Sequence, residues 1–445
     1  MLASTRTVAS RHGLPSLLPW ATSLAGFASG SVGNSISEAQ KQFIAQEDRF
    51  GAHNYAPLPV VLSKGEGVFV WDVENKRYFD FLSAYSAVNQ GHSHPKILKA
   101  LVDQVSKLAL TSRAFYNDAL GEYEEYITRL FGYDKVLPMN TGVEAGETAI
   151  KLARRWGYDV KGVPKNQAKV LFAAGNFWGR TTSAISSSTD PSSYEGFGPF
   201  MPGYEIIPYN DLSALKQKLE HDPNIVAFMV EPIQGEAGVV VPNDGYLSGA
   251  HKLLQQHNAL LIADEVQTGL CRTGRMLASD WEAVKPDLLV LGKALSGGVY
   301  PVSAVLARDE IMLTIKRGQH GSTYGGNPVA ARVATAALQV LEEERLAEAA
   351  DRLGTKLRHA LGVVASQSNG YVAAVRGKGM LNAIIIAERP GATAWDVCMA
   401  LKENGLLAKP THGNIIRLAP PLTMTEPQLE ECIAILKKTL MSFAA

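Results

Sequence analysis

Cysteine is scarce in this chain: its 445 residues hold Cys271, Cys398 and Cys432 and no others. Their number is odd, their spacings are long and no CxxC pair occurs, which argues against a disulfide framework or a zinc ribbon and fits a reducing compartment. No apolar run reaches the length needed to cross a bilayer. Charge of one sign is not in excess either, since 43 Lys and Arg balance 43 Asp and Glu. No global field therefore directs the chain to nucleic acid or to an acidic membrane, although a local anion site stays open. No internal repeat or low-complexity tract appears beyond the first residues. With 46% hydrophobic and 19% charged residues, the composition is that of a globular chain, and the length allows two or three domains.

Acid is missing from the start of the chain. No Asp or Glu precedes Glu38, while Arg6 and Arg11 stand among Ser, Thr, Ala and Leu. That is the composition of a mitochondrial transit peptide. A secretory signal is the competing reading, on the apolar stretch 14–27, but Pro15, Pro19, Thr22 and Ser23 interrupt it. A disordered tail is the plain alternative.

From about residue 130 to 310, short apolar runs alternate with helical patterns. Residues 169–174 (KVLFAA), 225–230 (IVAFMV), 260–263 (LLIA) and 288–291 (LLVL) read as buried strands, with helix-like stretches at 212–219 and 247–257. Such alternation predicts a mostly parallel sheet covered by helices, with ligands beyond the carboxyl ends of the strands. Tyr123, Tyr126, Ile127, Leu130 and Phe131 share one helical face. Asn327 and Pro328 read as a helix cap and first position, and the Ala-rich pattern after them continues to about Gly362. Beyond it, strand-like runs at 381–386 and 415–418 and a helix near 429–440 read as a smaller α+β domain, joined by the strand-like segment 67–81.

The residues just past each strand carry the chemistry. LLIA leads into Asp264-Glu265, LLVL into Gly292-Lys293, and KVLFAA into Gly175-Asn176-Phe177-Trp178, while Asn140-Thr141-Gly142-Val143 opens a helix. A carboxylate, a lysine, an aromatic ring and a helix N-terminus would then face one crevice. Pyridoxal 5'-phosphate needs all four. Its aldehyde needs an amine for a Schiff base. Its ring nitrogen needs a buried carboxylate to keep its proton. Its ring needs a flat partner, and its phosphate needs free N–H groups at a positive dipole end. Thr141 to Glu144 fits a capping box, so Glu144 is expected to turn back to the cap and away from a phosphate. Each feature alone has a bland reading: a surface turn, a salt-bridged pair, a core aromatic, a common cap. Their placement at the strand ends of one sheet carries the weight.

Other chemistries fit less well. His92 and His94, in GHSHPK, alternate as strand ligands of a metal would, but no third ligand is evident and Pro95 follows, so structural histidines are expected. Lys293 lacks the upstream spacing of a P-loop, and residues 376–379 (RGKG) lack that of a dinucleotide fingerprint.

The segments 140–147 (NTGVEAGE), 176–180 (NFWGR), 231–238 (EPIQGEAG), 264–269 (DEVQTG), 292–298 (GKALSGG) and 320–327 (HGSTYGGN) resemble the class III, fold-type-I aminotransferases. The likeness runs from about Glu47 to the C-terminus. Segments 51–60, 83–97, 180–194 and 405–422 are similar to the members that act on the δ-amino group of ornithine. The resemblance implies an α/β fold, a large domain with a mostly parallel seven-stranded sheet plus a smaller α+β domain. The divisions expected are a transit peptide at 1–35, an N-terminal segment with part of the small domain at 36–95, the large cofactor-binding domain at 96–339 and the C-terminal small domain at 340–445.

It also implies roles. Lys293 would hold the pyridoxal phosphate and move protons, with Asp264 at the pyridine nitrogen, Gln267 at the ring's 3-oxygen, and Val266, Phe177 and Trp178 around the ring. Gly142 and Val143 would hold the phosphate, and Thr323 with Ser322 would reach the phosphate of a neighbouring subunit in a homodimer with shared active sites. Tyr55 and Arg180 would hold the distal end of ornithine, Tyr85 would shape the channel, and Arg417 would grip the carboxylate of 2-oxoglutarate, with Glu236 cancelling its charge when ornithine is bound. The implied reaction is ping-pong transfer from L-ornithine to 2-oxoglutarate in the mitochondrial matrix, with no nucleic acid or membrane partner. Acetylornithine or 4-aminobutyrate as amino donor, a mutase or racemase of the class, and a non-catalytic protein on the same fold remain the alternatives.

Overall fold

The computed structural model describes residues 36–444, so the transit peptide expected at 1–35 lies outside the described residues. The chain divides into two compact units between Val61 and Leu62. In the first, the helix Glu38–Phe50 is capped by Ser37, whose hydroxyl accepts the Gln40 N–H at 3.3 Å. Gln40 Oε1 in turn accepts the Val61 N–H at 3.1 Å.

Among the described residues, the second unit holds three sheets. Strands β1 (Leu62–Glu66), β2 (Phe69–Asp72) and β3 (Arg77–Asp80) form an antiparallel meander. The central sheet comes next, from β4 (Lys135–Met139), β5 (Lys169–Ala173), β6 (Tyr204–Ile207), β7 (Ile225–Val230), β8 (Leu260–Asp264), β9 (Leu288–Leu291) and β10 (Ser303–Ala307). Its order is β4-β10-β9-β8-β7-β5-β6. All pairings from β9 to β6 are parallel, and β10 alone runs against both its neighbours. The C-terminal part adds β11 (Val372–Lys378), β12 (Leu381–Ile386), β13 (Leu406–Leu407), β14 (Lys409–Thr411) and β15 (Ile415–Leu418). The short β13 extends the first sheet, parallel beside β3, and the other four form an antiparallel sheet in the order β11-β12-β15-β14.

The continuous apolar runs predicted this arrangement, because a strand covered on both faces has no polar side to show. Phe172, Met229 and Ile262 face the helix Gly142–Trp156, packing on Ala145, Ala149 and Leu152. Their neighbours Leu171, Phe228 and Leu261 face the opposite layer, on Leu215, Leu247 and Leu254. Each such side chain contributes roughly 1.5–3 kcal/mol by leaving water.

The Ala-rich pattern expected to run to Gly362 is two helices, Pro328–Glu343 and Leu346–Gln367. Leu341 and Leu346 are both buried, and a continuous helix would set residues five apart about 140° from one another. Arg345 adopts a left-handed conformation (φ 53°) and turns the chain so that both reach the core.

Candidate active site

Parallel strands deliver their carboxyl ends to one edge of a sheet. Here β4, β5, β7, β8 and β9 bring the candidate residues to that edge. Lys293 follows β9 after one glycine and opens a single tight turn, Lys293–Ser296, with its own φ at 46°. A left-handed lysine is an uncommon backbone state, held only when the surroundings fix it. Burial pushes its amine below the ordinary lysine value, Asp264 opposes that shift and Arg417 adds to it.

Asp264 ends β8 and is buried. Burial pushes its carboxyl up to about 6, against the pull of the Val266 N–H, 3.1 Å from Oδ1, and of Lys293. Val266 wedges between the two glycine-bearing loops: a Cβ on Gly142 would stand 3.0 Å from Val266 Cγ1, so any larger residue there would have to push Val266 aside.

The helix Gly142–Trp156 carries the expected capping box. Thr141 Oγ1 accepts the Glu144 N–H at 3.3 Å, and Glu144 Oε2 accepts the Thr141 N–H at 2.7 Å. Burial works against the Glu144 charge, but hydrogen bonds from Asn140 and Thr141 outweigh it and hold the carboxyl below its ordinary value. The carboxylate is thus folded back on the cap. The N–H groups of Gly142 and Val143 belong to the first helical turn, which has no intrahelical acceptor to offer them.

The loop after β5 carries two aromatics that differ in burial. The Trp178 indole is buried, lies parallel to Phe172 with centroids 6.0 Å apart and donates to Ser187 Oγ at 2.8 Å. Phe177 is half-buried, and both aromatics line one small cavity with Asp264 and Glu231. The exposed Arg180 places its guanidinium carbon 5.7 Å from the Phe177 ring centre.

Arg417, on β15, is buried to 1% exposure. Nη2 donates to Glu236 Oε2 at 2.8 Å and Nη1 donates to Gln267 Oε1 at 3.1 Å. Because a guanidinium only donates, the Gln267 amide must turn its oxygen to Arg417, which leaves its NH2 to face elsewhere. The Tyr85 ring centre lies 5.1 Å from the Arg417 guanidinium carbon. Tyr85 sits in a left-handed turn of four non-glycine residues, Ser83 to Ser86, with φ between 47° and 71°. Asp80 pins its entry, accepting the N–H groups of Leu82 and Ser83 at 2.8 and 2.9 Å.

Tyr55 lies in the first unit and is 72% exposed. Ser322 Oγ accepts from Asn140 Nδ2 at 2.9 Å, beside the helix start of its own chain, and Thr323 next to it is exposed. The histidines of GHSHPK each meet a carboxylate: His92 Nε2 is 2.7 Å from Asp80 Oδ2, and His94, which precedes the helix Pro95–Lys107, is 2.8 Å from Glu344 Oε1.

Three further residues were not picked out in the sequence. Glu231 follows the six fully buried residues of β7 and is itself buried; a charge at the end of an all-apolar strand was the signal. Arg272 and Asn89 are fully buried partners, and nothing in their sequence surroundings marks them.

The residues at the sheet edge fit pyridoxal phosphate on their donor chemistry: a half-buried lysine amine of lowered basicity, a buried carboxyl group, first-turn N–H groups and an aromatic face. Residues 50–440 match the Aminotransferase class-III family. The mitochondrial ornithine aminotransferase of Rattus norvegicus is 63% identical over 443 residues, covering 99% of each chain. The crystal structure of the ornithine aminotransferase of Toxoplasma gondii superposes with a TM-score of 0.89 at 48% identity, over 92% of this chain and 96% of that one. An acetylornithine aminotransferase structure from Elizabethkingia anophelis gives 0.83 at 57% identity, over 91% and 99%.

Proposed function

This chain belongs to the class-III aminotransferases, and from that membership we propose that it moves the δ-amino group of L-ornithine to 2-oxoglutarate, giving glutamate 5-semialdehyde, which cyclises to pyrroline-5-carboxylate, and glutamate. Pyridoxal 5'-phosphate supplies the electron sink that stabilises charge on the reacting carbon. Lys293 would hold the cofactor through its amine, and the same amine would serve as the acid and base that moves a proton at the reacting carbon. Burial lowers its basicity, which suits a group that must both accept and return a proton. Asp264 holds the proton on the ring nitrogen. Phe177 would offer its face to the ring, and the Gln267 NH2, left free by its bond to Arg417, would be available to the 3-oxygen. Gly142 and Val143 present their N–H groups to the phosphate.

The ion pair of Arg417 with Glu236 is the observation that carries the substrate assignment. Ornithine reacts at an end that has no carboxylate, so a buried arginine beside that end needs another anion. Glu236 supplies it. 2-Oxoglutarate brings its own carboxylate beside the reacting carbon, takes the Arg417 fork and displaces Glu236. Tyr55 and Arg180 take the distal amino-acid end of ornithine, and Tyr85 narrows the channel.

Ser322 and Thr323 serve the phosphate of a second copy, so the working form is a homodimer with shared sites. The rat relative is named mitochondrial, and the acid-free segment 1–35 supports import into the matrix. No helix among the described residues is long and apolar enough to cross a membrane.

The test is spectroscopic. The purified chain with pyridoxal phosphate is mixed with ornithine alone, then with 2-oxoglutarate. The visible band of the lysine-bound cofactor is expected to fade and then return, and Lys293→Ala is expected not to regenerate it. A band untouched by ornithine but removed by acetylornithine assigns the donor instead to the substrate that names the Elizabethkingia relative.

A further inference from the structure

Glu231 is a costly residue to bury. It follows β7 directly, it is 6% exposed, and its neighbour Asp264 is a second buried carboxyl. Burial and the nearby Asp264 push its carboxyl up to about 8. Its hydrogen-bond partners are backbone from two different loops: Oε1 accepts the Phe177 N–H at 3.0 Å, and Oε2 accepts the Gly235 N–H at 3.1 Å. The first belongs to the loop after β5, the second to the turn that carries Glu236 as its next residue. Tyr209 fixes the backbone beneath, donating to the carbonyls of Glu231 and Pro232 at 3.2 and 3.0 Å. A second link closes the same two loops, from Gln234 Nε2 to the Ala174 carbonyl at 2.8 Å.

A glutamine has only one acceptor oxygen, whereas a carboxyl group has two, each able to accept whether or not the group is ionised. Two buried N–H groups facing different oxygens of one side chain from opposite loops are therefore matched by glutamate and not by glutamine. We infer that Glu231 is a positioning residue that couples the two functions of the site, setting the Phe177 face against the cofactor ring and the Glu236 carboxylate against Arg417 with one side chain. This rests on the roles proposed above for Phe177 and Glu236. It makes cofactor grip and the choice between amino donors properties of one tie.

The variant that tests it is Glu231→Gln, which leaves one N–H facing an NH2 group. Two readouts are taken. Pyridoxal phosphate is titrated into the cofactor-free protein and its Kd read from the visible band. Single-turnover rates are then measured with L-ornithine and with L-glutamate, and their ratio compared with the parent. The Kd is expected to rise about tenfold or more, and the ratio to shift about fivefold or more, the range for one buried donor left without an acceptor. A thermal midpoint that drops while Kd and ratio stay put makes Glu231 merely structural. A change in only one of the two readouts overturns the coupling. Should the variant fail to fold, amide exchange in the unaltered cofactor-free protein decides: Phe177 and Gly235 are expected to be protected, and rapid exchange at either overturns the tie. If the unaltered holoenzyme does not react with ornithine, the proposed function falls, while cofactor affinity and amide exchange still judge Glu231.

Discussion

Arg417 and Glu236 meet across 181 positions of sequence, Nη2 to Oε2 at 2.8 Å, with the arginine buried and the glutamate partly open to solvent. Arg417 is held in the interior of an antiparallel sheet, between β12 and β14. Glu236 sits on a turn. The glutamate is thus the partner free to leave when another carboxylate arrives.

Removing that partner exposes the consequence. In Glu236→Ala, Arg417 keeps its charge with no resident anion, so substrates with a carboxylate beside the reacting carbon are favoured. The rate with L-glutamate relative to L-ornithine is expected to rise about tenfold or more in single-turnover absorbance measurements, the effect of one uncompensated buried charge. An unchanged ratio would show the pair to be structural only.

The arginine fork itself is tested by Arg417→Lys. Lysine keeps the charge but cannot offer two parallel N–H groups or reach Gln267 and a carboxylate together. The KM for 2-oxoglutarate is expected to rise by about 10- to 100-fold, equivalent to ~1.5–3 kcal/mol for a charge-assisted bond. The ornithine half-reaction should change little. Equal losses in both half-reactions would contradict the assignment.

Asp264 gives a pH signature in the cofactor-free protein. Its folded value, about 6, lies above the ordinary aspartate value of 3.8, so the folded state binds more protons between these values and stability falls as pH rises through them. Asp264→Asn removes that loss. Denaturant titration should find the variant stabler by about 2–3 kcal/mol at pH 8, with the difference gone near pH 4. A variant less stable at pH 8 would mean that Asp264 is stabilised by its neighbours rather than strained by burial.

Gly354 tests the packing of the C-terminal part. It lies inside the helix Leu346–Gln367, and a Cβ there would stand 1.7 Å from the Gly379 carbonyl oxygen. That contact is with backbone and has no rotamer to yield. Gly354→Ala is therefore expected to destabilise by about 3 kcal/mol or more, read as a lower denaturation midpoint, although helix propensity alone favours alanine by about 1 kcal/mol. A stabilised variant would contradict the close approach.

Much of the framework was legible in the linear order. The runs at 225–230 and 288–291 fall on β7 and β9 with the same boundaries, because a strand buried on both faces needs an unbroken apolar run. The helix start at Thr141 was legible because a capping box is set by four neighbouring residues. Lys293 and Asp264 were legible as candidates because each stands at the end of a strand, and parallel strands share an edge.

The sequence by itself determined which short segments would be strands, which charged and aromatic residues stand at their ends, and, through resemblance, which reaction to expect. Only the tertiary structure decided which side chains share an environment. Phe177 and Trp178 are adjacent and alike in sequence and line the same small cavity, yet Trp178 is buried against Phe172 while Phe177 stays half-buried. Glu231 takes its part from two loops, and Arg272 from the Asn89 side chain and the carbonyls of Met380 and Pro420, at 2.6 to 3.0 Å for the latter two. The reason is physical. Periodicity and capping are written in neighbours along the chain, whereas burial, charge compensation and the donors left to a buried acceptor depend on residues that only folding brings together.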